Sequence, residues 1–157
     1  MAQIYETENF IVESFERPHV DRLDGGHIKI APKKHLADRT QLSPKLAIEF
    51  MRLTMVAGEA FETAMNNCGI PVVKINYQDM GNWAYKTGGK PLFHLHLYGR
   101  ASNAVWQIFP ESVYLPDRST GFYDKFEPLN ENDIKEIQKQ IEIISQKEKY
   151  KKENWGL

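Results

Sequence analysis

The run Phe93-His94-Leu95-His96-Leu97-Tyr98-Gly99-Arg100 restricts the fold more than any other part of this chain. Large apolar residues alternate with His, His and Tyr, and successive side chains on a β-strand point to opposite faces. Phe93, Leu95 and Leu97 therefore ask for a core, while His94, His96 and Tyr98 form a row with a repeat of roughly 6.6 Å. Two of the five histidines of the chain lie here. A half-exposed strand whose polar face is idle would alternate in the same way, and the strand alone does not choose between that and a site.

Composition sets outer bounds. At 157 residues the chain is long enough for one domain with a core and short for two. Hydrophobic residues make up 41% and charged residues 26%, which fits a globular domain and neither a disordered nor a membrane-embedded chain. A net charge of −1 argues against binding nucleic acid by bulk phosphate neutralisation. No apolar stretch approaches a membrane span, and the N-terminus lacks a basic-then-apolar signal pattern. Cys68 is the single cysteine, so an internal disulfide and a cysteine-rich zinc site are both excluded. A reduced, cytoplasmic setting is the expectation.

Punctuation and periodicity divide the chain into elements. Asn9 to Glu16 and Gly26 to Ala31 read as strands, joined by a polar connection that holds Pro18, Asp24 and Gly25. Ser43-Pro44 marks a helix start, and apolar residues near helical spacing run on to about Asn67, with Gly69 as the stop. Ile70 to Tyr77, Leu92 to Tyr98 and Val105 to Phe109 read as further strands. Residues 110–129 look like loop, and Asn130 can cap a terminal helix striped by Ile134, Ile137, Ile141 and Ile144. The order predicts an α+β domain, a mostly antiparallel five-stranded sheet with one long helix and a C-terminal helix. The core is expected within residues 1–110, and 111–157 as a loop and helix packed on the same domain or on a dimer partner.

Three further features carry chemistry only weakly when taken singly. The loop from Asn76 to Lys90 has adjacent glycines beside Lys86, Thr87 and Lys90, suited to an anion but equally to a flexible connection. Ala31-Pro32-Lys33-Lys34-His35 puts two cations and a histidine after a strand, where lysines are usually just solvated. Asn76, at a strand end, can bind a sugar, a phosphate or its own turn.

Together these residues resemble the histidine-triad (HIT)-like superfamily. Gly26-His27-Ile28-Lys29-Ile30-Ala31-Pro32-Lys33-Lys34-His35 is similar to the stretch that opens such domains, and Gly88-Gly89 before His94-Leu95-His96-Leu97-Tyr98 is similar to their signature strand. The match spans roughly Ile4 to Arg100 and keeps the order hairpin, long helix, strand, loop, histidine strand. The resemblance implies cleavage or transfer of nucleoside monophosphates: a nucleotide hydrolase or nucleotidyltransferase acting at the α-phosphate of a dinucleoside polyphosphate, phosphoramidate or similar conjugate. His96 would be the nucleophile and pass through a nucleotidyl-histidine intermediate. His94 would orient it, His35 would pack behind the site, and Asn76, Gly89 and His27 would lie against the substrate, with the charge of Lys90, which departs from the family pattern, as a replacement phosphate contact. No cofactor is implied beyond a divalent cation such as Mg2+ accompanying the substrate, and a homodimer is the common assembly, with the isoleucine-striped helix on the partner surface. A small nucleotide is the expected partner, with neither nucleic acid nor membrane.

The chain departs from the pattern in places. Tyr98 replaces the third histidine, a position tied to the phosphate and the leaving group; a phenol with a pKa near 10 is a poor proton reservoir at neutral pH. Lys90-Pro91 stands where the family has Gln-Ser or Gln-Thr, and the preceding loop is longer and carries Trp83 and Tyr85. No acidic residue for the ribose stands out, although Asp24 and Glu16 are near in sequence. Two alternatives stay open: a non-catalytic nucleotide-binding domain, and a metal site built from His94, His96 and either His27 or His35.

Overall fold

The computed structural model describes residues 1–157. Strands β1 (Gln3–Glu6), β2 (Phe10–Ser14), β3 (His27–Pro32), β4 (Val72–Asp79) and β5 (Leu95–Ala101) accompany helices α1 (Pro44–Asn67) and α2 (Glu131–Ser145). The strands form one antiparallel sheet in the order β1-β2-β3-β5-β4. The expected α+β architecture with five strands is therefore present, but its fifth strand is the N-terminal β1, and Val105–Phe109 is irregular. The carboxylate of buried Asp24 accepts the N–H groups of Val105, Trp106 and Gln107 at 2.7, 2.8 and 2.7 Å, so this stretch wraps an anion and offers no ladder to a neighbour.

Ser43 Oγ accepts the N–H of Leu46 and Pro44 opens α1, as serine at a cap and proline in the first turn should. The helix lays Phe50, Leu53, Ala57, Phe61 and Ala64 on the apolar sheet face made by Val12, Ile28, Ile30, Leu95 and Leu97. Helix α2 starts with a capping box between Asn130 and Asp133, and Asp133 also binds the Arg22 guanidinium at 2.5 and 2.9 Å. Ile137, Ile141 and Ile144 enter the same core, against α1. The stripe expected to meet a partner is thus consumed inside the molecule; burying three isoleucines stabilises it by about 1.5–3 kcal/mol each.

Strand β5 lies between two neighbours and all seven of its residues are buried. A tight crossing fixes it. A Cβ on Gly99 would stand 2.1 Å from the carbonyl oxygen of Gly25, and one on Gly25 would stand 2.2 Å from that of Gly99. Gly25 also has φ +130°, a conformation that side chains oppose.

Candidate active site

The face of β5 opposite α1 is roofed by loops that bring Phe15, His19, Trp83 and Arg118 over it, so its histidine row is not an open polar face. His96 is 4% exposed and Tyr98 is 0% exposed. From β3, His27 sits opposite Tyr98 and Lys29 opposite His96; from β4, Asn76 and Gln78 flank the same two residues. Paired residues share a face, so the register alone gathers His27 against the signature strand.

The imidazoles form a continuous hydrogen-bonded chain. The His19 N–H meets His27 Nδ1 at 3.1 Å, His27 Nε2 meets His96 Nδ1 at 2.8 Å, His96 Nε2 meets His94 Nε2 at 2.9 Å, and His94 Nδ1 meets the Leu92 carbonyl at 2.7 Å. Its polarity follows from its ends. An amide N–H only donates, so His27 Nδ1 accepts and a neutral His27 carries its proton on Nε2. That proton faces His96 Nδ1, so His96 carries its own on Nε2 and donates it to His94 Nε2. The last proton, on His94 Nδ1, ends on a carbonyl that only accepts. Burial keeps the inner rings neutral: it drives His96 down to about 2 and His27 well below the ordinary imidazole value, with neighbouring positive charge adding to the effect.

Above the row lies a cavity of about 520 Å³. His94, His96 and His19 share its wall with Phe15, Met80, Trp83, Leu92 and Leu115, and with two cations, Lys90 and Arg118. No carboxylate lines it. The Arg118 guanidinium stands 5.7 Å from the Trp83 ring centre, and a Lys86–Asp117 ion pair ties the loop that carries Trp83 to the segment that carries Arg118. Positive charge and an aromatic, largely apolar wall suit a phosphate attached to a planar base. His19, His27 and His96 bring ring nitrogens within 4.8 Å of one another, as metal ligands would need. Both nitrogens of His27 and of His96 are already bonded to neighbours, and the facing cations repel a metal ion.

The anticipated residues divide. His94, His96 and Lys90 reach the cavity. His27 does not; it packs behind His96, the position expected of His35, while its ring stacks on Phe15 at 4.2 Å. His35 itself is exposed and outside the cavity, because it lies beyond the end of β3 where the chain leaves the sheet. Asn76 is on the site face, but its Oδ1 accepts from Arg100 Nη1 at 2.7 Å and it is not part of the wall. Gly89 directs its N–H to the Ala84 carbonyl at 2.9 Å, a five-residue bond that closes the C-terminal end of the short helix Asn82–Thr87, and does not line the cavity. Tyr98 is covered by His19, whose Nδ1 lies 2.8 Å from its hydroxyl. Asp24 holds three backbone N–H groups, and neither it nor Glu16 lines the cavity.

His19 and Arg118 were not legible as site residues. His19 sits in a connection with no periodicity, and Arg118 in a segment that reads as loop. Pro18-His19 beside Gly25-Gly26-His27 was the one local sign, a second histidine close to the strand that carries His27.

No family model matches the sequence, and no curated protein matches it. Solved structures do. A zinc-bound histidine triad family protein from Mycobacterium smegmatis aligns at TM-score 0.60 and 17% identity over 91% of this chain and 85% of its own. A hypothetical histidine triad nucleotide-binding protein from Sulfolobus tokodaii aligns at TM-score 0.60 and 17% identity over 93% and 87%. A HIT-like protein from Bartonella henselae, described as involved in cell-cycle regulation, gives TM-score 0.57 and 16% identity over 88% and 85%. The chain has the histidine-triad fold. In this fold the strand that alternates histidine with leucine is β5, and the sheet face beneath the cavity is the one that carries His27, His94 and His96.

Proposed function

We propose that the cavity binds the phosphate of a nucleotide conjugate and that His96 transfers its nucleotidyl group, to water or to a second acceptor. One observation carries the reading: His96 lies in the wall of a carboxylate-free cavity, bonded through both ring nitrogens to other imidazoles, and Arg118 and Lys90 line the same cavity. In the first step His96 Nε2 forms a bond to the α-phosphorus as its proton passes to His94 Nε2, 2.9 Å away. The bond from phosphorus to the leaving group breaks, and its electron pair departs with that group. The acceptor then attacks phosphorus and releases its proton to solvent, the electron pair of the nitrogen–phosphorus bond returns to His96 Nε2, and His94 hands back the proton it took. His27, donating to Nδ1, holds the ring in the orientation that this requires. The chain's own residues carry the step, and a divalent cation such as Mg2+ enters only with the substrate phosphates.

The polarity of the hydrogen-bonded chain favours a second reading. A resting His96 that presents Nε2–H is a hydrogen-bond donor to phosphate before it is a nucleophile, which suits a non-catalytic nucleotide-binding module. Release of nucleoside monophosphate from dinucleoside polyphosphates, phosphoramidates and nucleotide sugars (the last with an acceptor phosphate) separates the two. Turnover that falls by about 10³-fold or more in His96→Ala, with a nucleotidyl adduct trapped on His96 in the wild type, establishes transfer. Nucleotide binding by calorimetry without any turnover assigns the module instead.

A further inference from the structure

His19 is unusual among the buried polar groups of this protein, because everything about it is fixed except the atom that faces the cavity. Its N–H donates to His27 at 3.1 Å, its carbonyl accepts Gln107 Nε2 at 2.8 Å, and its Nδ1 meets the Tyr98 hydroxyl at 2.8 Å. Its Nε2 has no protein partner, and the ring is part of the cavity wall. A ring nitrogen of His19 and one of His96 lie within 4.8 Å of each other. The proton of that ring can be placed by satisfying its neighbour. Tyr98 is 0% exposed and His19 is the sole partner of its hydroxyl, so a buried O–H is satisfied only if it donates to Nδ1. The remaining proton of a neutral His19 is then on Nε2 and points at the cavity. Burial, with Arg118 and His94 adding, moves this imidazole down to about 4, so it stays neutral and keeps that one proton near neutral pH.

We propose that His19 is a catalytic residue of the site, its Nε2–H donating a hydrogen bond to the atom that leaves phosphorus while Tyr98 fixes its tautomer. The inference rests on the nucleotidyl-transfer reading above. During displacement by His96 the breaking bond leaves its electron pair on the departing oxygen, and a preorganised donor in a largely apolar cavity is worth most where such charge develops. The proton of His19 stays on Nε2 as a donated hydrogen bond, and the departing oxyanion takes its proton from water afterwards. A histidine outside the signature strand thereby serves the leaving group, and Tyr98 acts through it as a positioning residue.

Two adenosine 5′-phosphate diesters test this, one with 4-nitrophenol as leaving group and one with unsubstituted phenol. His19→Asn keeps an acceptor near the Tyr98 hydroxyl and removes the cavity-facing donor, whereas Tyr98→Phe keeps the imidazole and frees its tautomer. The two variants disturb the pair from opposite sides, so poor folding of one leaves the other to decide. The expected result is a fall of about 10²-fold for His19→Asn on the phenyl ester, against less than about threefold on the nitrophenyl ester, which needs little help to leave. Tyr98→Phe should show the same selectivity at about tenfold. His19→Gln, whose amide N–H reaches toward the place of Nε2, should recover part of the phenyl-ester rate. Equal losses on both esters, or none on either, would make His19 a packing residue and overturn the proposal while His96-dependent turnover stands. A wild type silent on both esters sinks the transfer reading itself, and this inference with it.

Discussion

Arg118 is held by stacking as well as by charge. Its guanidinium lies 5.7 Å from the Trp83 ring centre and 5.0 Å from that of Tyr123, and Nη2 donates to the Arg17 carbonyl at 2.7 Å. That leaves a planar cation on the cavity wall, already oriented for phosphate. Arg118→Ala should weaken binding of a nucleoside monophosphate by about tenfold, and the gap should narrow as salt is raised. Titration calorimetry at two ionic strengths checks this; an unchanged affinity would place the phosphate elsewhere. Sequence reasoning reaches His94 and His96 because strand alternation exposes them, and it cannot reach Arg118 or His19 because irregular loops leave no period to read. The exchange of His35 for His27 has a different origin. Both stand in the same motif, and only the register of β3 against β5 shows that His27 lies over the site.

At the scale of elements, local chemistry and long-range chemistry separate cleanly. Ser43-Pro44, Gly69 and the Asn130 cap are stop and start signals that act over a few residues, and both helices begin where those signals put them. Val105–Phe109 looks like a strand by composition, but Asp24, remote in sequence, claims its amides. No local rule reports an interaction across that separation. Three N–H groups around one buried carboxylate make Asp24 an anchor for the segment that leads toward the cavity loops. Asp24→Ala leaves those donors without their partner and should cost about 3 kcal/mol, read as a lower urea midpoint with an unchanged slope. A midpoint within about 0.5 kcal/mol of wild type would mean that the loop is held by other contacts.

Taken as a whole, the molecule keeps its imidazoles neutral by burying them, which ties its stability to pH. The native pKa of His19 lies at about 4, that of His96 at about 2 and that of His27 well below its ordinary value, while an unfolded chain titrates these rings near 6.5. Below pH 6.5 the unfolded state therefore binds more protons than the native state, so stability is full above that pH and declines as pH falls toward 4. Between pH 7 and 5 the loss should approach about 2 kcal/mol per ring, before most carboxylates begin to titrate. Urea melts across this range check it, and His19→Asn should flatten the slope; a stability curve level from pH 7 to 5 would contradict neutral, buried rings. The Gly25–Gly99 crossing bears on how such a face is assembled correctly. Were β5 to pair one residue out of step, its imidazoles would enter the core and its leucines the cavity. Such a slip would bring Tyr98 or Arg100 beneath Gly25, where a Cβ lies 2.1 Å from a carbonyl oxygen. The two glycines thus work as a key and its slot, a steric proofreading step that admits the strand in the one alignment that turns its histidines outward.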